Sequence, residues 1–216
     1  MKQYHKIDSL FKRDTDGKML FGEYSCPEFE YLKDNVWWYT EKVDGTNIRI
    51  MYQPEVPALG GEKMVPWISL GGKTDAAQIP AKLVEKLRNL FPVEKFEGFG
   101  EPMCLYGEGY GAGIQKGGGN YIKDGVDFIL FDVKIGDWWL KRDSVEDIAK
   151  TLSIPVVPII GGGSLFRMEK LCQEGFKSQW GDFIAEGIVA RPDVELQKRG
   201  GERVITKLKH KDYNGV

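Results

Sequence analysis

A lysine flanked by carboxylates is the most reactive arrangement that the sequence suggests. Residues 39–50 read YTEKVDGTNIRI, and Lys42 stands there between Glu41 and Asp44. The pair Asp44-Gly45 is a strong turn signal, because glycine tolerates positive φ and aspartate bonds back to its own backbone. At the tip of a hairpin such a lysine forms only a surface ion pair of little energetic value. A neutral lysine amine held at a turn is also a nucleophile, so this segment alone has two interpretations.

A second candidate is Glu108, which lies in the glycine-rich stretch LYGEGYGAGIQKGGGNY at residues 105–121. The spacing Gly107-x-Gly109-x-x-Ala112 matches part of a dinucleotide fingerprint, but that motif requires a helix directly after the loop. More glycine follows here, so we set the dinucleotide interpretation aside. Glu108 is then expected at the end of an apolar strand, either simply exposed or among glycines that let a ligand approach the backbone.

A third candidate is Asp132 in DFILFDVKI, residues 127–135. In a regular strand the alternation of side chains puts Asp132 on the same face as Phe128 and Leu130. A carboxylate there either marks the solvated end of the strand or is held for a purpose. The neighbouring Phe131 is a core residue by general burial trends, or else a stacking platform.

Basic residues near the end of the sequence suggest an anion site. Lys207 and Lys209 are two residues apart on a predicted strand, so both point to one face. Two ammonium groups on one face repel each other unless an anion lies between them, although lysines also protect edge strands from aggregation. Residues 198–211 contain six Lys or Arg and one acidic residue, which is typical of a solvated face or of a phosphate-binding edge. Before this run, Glu186 precedes a short apolar strand.

The elements that must position these residues are mostly strands. Alternating or apolar segments predict strands at 36–41, 47–52, 67–70, 103–106, 127–135, 187–190 and 203–209. Helical periodicity predicts helices at about 79–91, 143–152 and 167–177, with Asp143 or Ser144 as the cap of the second. Because strands outnumber helices without regular alternation, we expect an α+β fold with mainly antiparallel sheets and a few helices.

The totals exclude several classes of protein. The chain has 216 residues, a formal net charge of −2 and 29% charged residues, which is no general nucleic-acid signal. Its three cysteines form no CxxC pair and only two histidines are present, which argues against a zinc site and a disulfide framework. The polar N-terminus and the lack of long apolar runs predict a cytoplasmic protein with no membrane partner.

Taken in order, the candidate residues resemble a known set of motifs. The set is Lys42-Val43-Asp44-Gly45, Tyr106-Gly107-Glu108, Phe131-Asp132, Glu186-Gly187-Ile188-Val189 and Lys207-Leu208-Lys209. It resembles motifs I, III, IIIa, IV and V of the covalent nucleotidyltransferase superfamily, which contains ATP-dependent polynucleotide ligases and mRNA capping enzymes. Glu41 before the lysine and Asn47 after it look most similar to ATP-dependent RNA ligases. The resemblance implies a single nucleotidyltransferase (adenylyltransferase) domain over residues 1–216, with an ATP-grasp-like ligase fold and no separate C-terminal domain.

The resemblance implies a nucleotide-binding role for five of these residues. Lys42 would attack the α-phosphate of ATP and hold AMP through a phosphoramidate. Glu108 would bind the ribose hydroxyls and Phe131 would stack on adenine. Lys207 and Lys209 would contact the phosphates.

It implies further roles around a metal ion. Glu186, with Asp132 and Asn47, would hold Mg²⁺ (or Mn²⁺) and its waters. Glu41 resembles a position that the family needs for activity, and we group it with the nucleotide-binding residues. The family usually has an arginine between motifs I and III, where this sequence has Lys73, and lysine does not reproduce the two-pronged guanidinium contact.

The implied function is joining of 5′-phosphate and 3′-hydroxyl RNA ends through an adenylylated 5′ end. An ATP-dependent DNA ligase is the alternative, because these motifs do not encode sugar identity, while Glu41 and Asn47 disfavour a capping enzyme. From another class, a non-catalytic nucleotide- or RNA-binding module would retain the fold without the chemistry. The sequence ends seven residues after Lys209, so we expect either a bare catalytic domain or a separate protein that supplies nucleic-acid binding.

Overall fold

The computed structural model describes residues 3–57, 61 and 64–213. The strands are β1 (Asp8–Ser9), β2 (Phe11–Arg13), β3 (Met19–Tyr24), β4 (Trp37–Glu41), β5 (Thr46–Pro57), β6 (Met64–Gly71), β7 (Met103–Gly111), β8 (Val126–Ile135), β9 (Trp138–Trp139), β10 (Ile159–Gly163), β11 (Gly187–Pro192) and β12 (Thr206–Lys209). The α-helices are α1 (Pro27–Tyr31), α2 (Ala81–Leu90), α3 (Gly118–Tyr121), α4 (Arg142–Leu152) and α5 (Leu165–Glu174), and 3₁₀ helices cover Val93–Phe96 and His210–Asp212.

The contacts divide the chain into two compact units. Unit 1 contains the N-terminal residues through Tyr4 together with Asp44–Val157. Unit 2 contains His5–Val43 and the chain from Pro158 onward. The single nucleotidyltransferase domain expected over the whole sequence stays a prediction.

Unit 1 is built on a five-stranded antiparallel sheet in the order β6-β5-β7-β8-β9. Helices α2 and α4 pack against β8. Ile48 and Ile50 of β5, Leu105 of β7 and Leu83 of α2 are fully buried in one core. The alternation of β5 therefore puts Asn47 and Arg49 on the other face of this sheet.

Unit 2 contains a five-stranded sheet in the order β1-β12-β11-β4-β10 and the two-stranded sheet β2-β3. Apart from the short parallel pair β1–β12, the described pairs of this larger sheet are antiparallel. Tyr39, Ile188 and Leu208 lie on its inner face in a second core that also contains Leu165 of α5. The prediction of an α+β fold with mainly antiparallel sheets is confirmed.

The Asp44-Gly45 turn does not connect a hairpin, so that interpretation is wrong. Strand β4 pairs with β10 and β11, whereas β5 pairs with β6 and β7. Gly45 does not adopt positive φ. A Cβ atom there would approach the Gly109 carbonyl oxygen to 2.3 Å, so the glycine is needed because the backbone of β7 lies so close.

A bulge in β8 changes which residues share a face. The register of β8 against β7 shifts at Phe131, which is the extra residue of the strand. Phe128 and Leu130 lie in the core, and so does Val133. Asp132 therefore lies on the opposite face, and the prediction that it shares a face with Phe128 and Leu130 is wrong. A bulge reverses the alternation beyond it.

Several boundaries also differ from the predictions. Helix α4 begins after Lys141 without a side-chain cap, so neither Asp143 nor Ser144 caps it. Within the glycine-rich stretch, residues 105–111 belong to β7 and residues 118–121 form α3. Strands β1 to β3 were not predicted, because they are short and lack a clear alternation. No helix in the described part of the chain is long and apolar enough to cross a membrane.

Candidate active site

In unit 2, one carboxylate bridges two lysines. Lys42 directly follows β4, and its backbone N–H donates to the Gly187 carbonyl oxygen at 2.9 Å. Its Nζ donates to Glu186 Oε2 at 2.6 Å, while Lys209 Nζ lies 2.7 Å from Glu186 Oε1. The three side chains are 13–28% exposed. They are therefore partly desolvated yet reachable by a ligand, and together they carry an excess of one positive charge.

This arrangement suits an anion with several oxygens. Either lysine can exchange its contact with Glu186 for a phosphate oxygen, because an ammonium group has three donors. Lys42 must lose a proton before it can act as a nucleophile. In this structure the Nζ of Lys42 is instead engaged by the contact with Glu186.

Glu41 points away from Lys42, because consecutive strand residues face opposite sides. Its side chain is 1% exposed and accepts hydrogen bonds from Ser178 Oγ at 2.6 Å and the Gln179 N–H at 2.8 Å. Burial raises the pKa of the Glu41 carboxyl, and the two hydrogen bonds partly oppose this. These contacts support the turn before Glu186, and a nucleotide-binding role for Glu41 stays a prediction. The opposite directions of Glu41 and Lys42 were predictable from the strand alternation in the sequence. No sequence pattern indicated that Ser178 and Gln179 would contact Glu41.

In unit 1, Asn47 and Glu108 lie directly opposite each other on β5 and β7. Both are on the face of the sheet that points away from the core. The Oδ1 atom of Asn47 is buried and has no hydrogen-bond partner among the residues that the structure describes. A buried acceptor in this condition costs free energy unless a ligand or water satisfies it, so the atom marks a binding position.

Phe131 and Asp132, also in unit 1, meet at Tyr4. The Tyr4 hydroxyl donates to Asp132 Oδ2 at 2.5 Å, and the Tyr4 ring packs edge-on against Phe131 with centroids 5.1 Å apart. The Asp132 side chain is fully buried. No pattern in the sequence indicated that a tyrosine so far from these residues would contact them.

Lys73 is exposed in the turn after β6, and Arg49 holds this turn. The buried guanidinium of Arg49 donates from Nε to the Gly72 carbonyl oxygen at 2.8 Å and from Nη2 to Asp75 at 2.7 Å. This pairing lowers the pKa of Asp75. Arg49 was not among the residues predicted from the sequence, although its alternation with Ile48 and Ile50 places it on the same face as Asn47.

A divalent ion fits these residues only if waters and substrate phosphates supply most of its ligands. No group of three or more His, Cys, Asp or Glu side chains is arranged to hold a metal within residues 3–57, 61 and 64–213. Mg²⁺ is usually bound by one or two carboxylates, waters and substrate phosphates rather than by an all-protein cage. In unit 2, Glu186 can supply such a carboxylate, and the part of Asn47 in such a site stays a prediction. The role of Asp132 as a ligand stays a prediction.

The basic run 198–211 does not form one continuous face. Lys198 pairs with Asp8 at 3.0 Å, and Arg203, 2% exposed, pairs with Glu195. Lys207 and Lys209 do share the outer face of β12, as their spacing predicted. The two interpretations of that run, a solvated face or a phosphate-binding edge, therefore apply to Lys207 and Lys209 and not to the run as a whole.

Comparison with known families agrees with the motif order. The family model described as RNA ligase matches residues 35–209.

The chain belongs to the RNA ligase family.

The RNA ligase fold is also found in solved structures of Naegleria gruberi RNA ligase. A mutant with AMP and manganese has a TM-score of 0.64 and 19% identity, covering 87% of this chain and 53% of that one. Another mutant with ATP and manganese has a TM-score of 0.64 and 17% identity, covering 96% and 57%. The structure with pyrophosphate has a TM-score of 0.65 and 19% identity, covering 99% and 63%. This chain therefore spans between half and two thirds of their length. None of the curated proteins compared with the chain matches it.

Proposed function

We propose that this protein is an ATP-dependent RNA ligase that joins 5′-phosphate and 3′-hydroxyl ends through a covalent AMP adduct on Lys42. The observation that carries the proposal is the Glu186 carboxylate held between Lys42 and Lys209, in a chain of the RNA ligase family. ATP, AMP and pyrophosphate in the Naegleria structures support it, since ATP is the substrate of the adenylylation step, AMP is the group transferred and pyrophosphate is the leaving group.

In the first step the amine of Lys42 attacks ATP. Its Nζ forms a bond to the α-phosphorus, the bond from that phosphorus to the bridging oxygen of the β-phosphate breaks, and pyrophosphate leaves. Two protons leave the ammonium group during this step: Glu186, the carboxylate within hydrogen-bonding distance, can accept one, and the other passes to water or to the departing pyrophosphate. Lys209 and Lys207 then stabilise negative charge on the phosphates.

Glu186, with Asn47 and Asp132 as further candidates, would hold Mg²⁺ or Mn²⁺. When bound, such an ion supplies positive charge to the phosphates and competes with the two ammonium groups for Glu186. In unit 1, Glu108 would bind the ribose, Phe131 would stack on adenine, and Lys73 would take the place of the family arginine. These roles rest on the motif resemblance.

Two further transfers complete sealing. AMP moves from Lys42 to the 5′-phosphate of an RNA end, which restores the lysine and makes AMP the leaving group. A 3′-hydroxyl then attacks that 5′-phosphate and displaces AMP. The substrate is RNA because of the family, and the comparisons give no support to DNA ends or to a separate partner protein.

Labelling with ATP tests the first step. The protein, ATP labelled at the α-phosphate and Mg²⁺ are incubated and run on a denaturing gel, with Lys42→Ala and the exposed Lys170→Ala as matched variants. We expect an acid-labile label on the wild type and on Lys170→Ala. Lys42→Ala should lose it completely, because Lys42 is the proposed nucleophile, whereas Lys209, the other amine in contact with Glu186, is proposed to contact the phosphates.

The opposite result would support a different class of protein. If a folded wild type takes no label with either Mg²⁺ or Mn²⁺, the protein is a binding module and the role of Lys42 is wrong. If it takes label but does not seal nicked or single-stranded RNA, adenylylation stands and ligation does not.

A further inference from the structure

The outer face of the unit 2 sheet carries further side chains besides those of Lys42 and Glu186. The alternation that buries Trp37 and Tyr39 turns Trp38 and Thr40 outward on β4. On the neighbouring strands, Val189 and Arg191 of β11 and Lys207 and Lys209 of β12 also face outward, because Ile188, Ala190 and Leu208 between them are in the core. We call these six outward residues of β4, β11 and β12 the outer strip.

Trp38 is the large aromatic residue of the outer strip, and it is held rigidly although 45% exposed. Its indole Nε1–H donates to Asp193 Oδ1 at 2.6 Å. Its ring lies over Gly162 of β10, where a Cβ atom would approach Trp38 Cε3 to 3.2 Å and Cζ3 to 3.4 Å. One side of the indole is thus supported by a glycine backbone while the ring remains accessible.

Cations lie beside this ring. Arg191 is the direct neighbour of Trp38 across the β4–β11 pair, and Lys207 is the neighbour of Val189 across β11–β12. Lys42 follows on the same side of β4, four residues from Trp38, a distance of about 13 Å at ordinary strand rise. The outer strip therefore combines a fixed aromatic ring with positive charge and leads to the predicted nucleophile.

Sites for single-stranded nucleic acid have this composition. Bases stack on aromatic side chains while basic residues follow the backbone phosphates. Phe131, the predicted adenine platform, is a different residue in unit 1, so Trp38 is not needed to explain ATP binding.

We propose that Trp38 is a stacking platform for a nucleobase of the single-stranded RNA end, and that Arg191 contacts its phosphate backbone. The proposal rests on the proposed ligase function for the identity of the nucleic acid. The base that stacks is near the reacting phosphate but not at it, because Trp38 is displaced along β4 from Lys42. Stacking does not depend on the sugar, so a DNA oligomer of the same sequence should use the same ring.

Binding of a 5′-phosphorylated RNA oligonucleotide, without ATP, tests this directly. Fluorescence anisotropy of a labelled oligonucleotide should show that Trp38→Ala raises the Kd by about 5- to 150-fold, the range for loss of one stacked base. Trp38→Phe should keep most of the affinity. The exposed Phe166→Ala, on α5 of the same unit, controls for loss of any surface aromatic.

A pair of glycine variants tests the geometry without removing the ring. A Cβ atom at Gly162 would lie 3.1 Å from the Trp37 carbonyl oxygen and 3.2 Å from Trp38 Cε3, so the indole or the strand must shift by a few tenths of an ångström, whereas a Cβ atom at Gly161 meets only Tyr39 at an ordinary 3.6 Å. We expect weaker RNA binding in Gly162→Ala and wild-type affinity in Gly161→Ala. Arg191→Gln should reduce the slope of log K against log salt by about 1.

The outcomes separate this proposal from the proposed function. Weaker RNA binding in Trp38→Ala with Lys42 still labelled by ATP supports a stacking subsite, and does so even if sealing is absent. Unchanged RNA affinity in a folded Trp38→Ala protein overturns it, whatever the result of labelling. Equal loss in Trp38→Phe and Trp38→Ala also overturns it, because a phenyl ring can stack.

Discussion

Two adjacent residues of one motif have separate functions because a strand turns them in opposite directions. Lys42 faces the outer side and contacts Glu186 at 2.6 Å. Glu41 faces inward and accepts two hydrogen bonds from the turn at Ser178 and Gln179. That turn lies in the segment leading to Glu186, so Glu41 supports the lysine's carboxylate partner from inside the unit.

The inward position of Glu41 predicts a pH effect on stability. Burial raises its folded pKa above the ordinary 4.5, so its contribution is fully present below pH 4.5 and is lost as pH rises through the folded pKa. Denaturant unfolding of wild type and Glu41→Gln should therefore show the free energy of unfolding of the wild type falling relative to the variant from pH 4.5 to neutrality. The lost carboxylate acceptor adds a constant offset only.

Glu101→Gln provides the control, since Glu101 is exposed. The difference in free energy of unfolding between Glu101→Gln and the wild type should not change with pH in the same manner. A pH-independent difference for Glu41→Gln would mean that the Glu41 carboxyl has the same pKa in the folded and unfolded chains.

Among the elements, the bulge between β7 and β8 decides which residues reach the face of the unit 1 sheet that points away from its core. It turns Asp132 away from the core, so that Asp132 and Phe131 both meet Tyr4. The bulge lies beside Gly107, where a Cβ atom would approach Phe128 Cζ to 2.2 Å and the Ile129 carbonyl oxygen to 2.4 Å. The glycine of this motif is therefore required for close packing of two strands.

We predict that Gly107→Ala destabilises the protein by about 1–3 kcal/mol or more, the usual cost of overpacking. The backbone oxygen of Ile129 cannot move without disturbing the ladder, so the cost cannot be relieved by a side-chain rotation alone. Denaturant unfolding measures it. Gly119→Ala is the matched control, because nothing lies within 4 Å of a Cβ atom there; an equal loss in both variants would contradict the packing argument.

At the scale of the whole molecule, the described residues form two separate hydrophobic cores. One contains Leu105 and belongs to unit 1, and the other contains Ile188 and belongs to unit 2. The chain passes between the units at residues 4–5, 43–44 and 157–158. The first motif is therefore divided, with Lys42 in one unit and Asp44 in the other.

Two core truncations should act on different units. Leu105→Ala and Ile188→Ala each remove a fully buried side chain, and each should cost about 2–5 kcal/mol. Hydrogen exchange followed by mass spectrometry should show faster exchange first in unit 1 for Leu105→Ala and first in unit 2 for Ile188→Ala. Equal acceleration in both units by either variant would show that they unfold as one cooperative body.

Much of this protein was predictable because its signals are local. The strands around the motifs, helices α2 and α4 and the shared face of Lys207 and Lys209 follow from periodicity. The family followed from the order of the motifs along the chain. Strand β1 was not predictable, since its partner β12 lies far away in the sequence, and β2 and β3 pair with each other but lack a clear alternation.

The residue types of the motifs, their order and the α+β class follow from the sequence alone, because motif identity and side-chain period are local properties of the chain. Which side chains meet depends on the folded structure: Glu186 contacts Lys42 and Lys209, Glu41 contacts Ser178, and Tyr4 contacts Asp132. The folded structure also showed that Asp44-Gly45 leads from one sheet to another, and that a bulge reverses the face of Asp132. The physical reason is that strand partners and register are set by contacts between residues distant in the sequence, which no local pattern encodes.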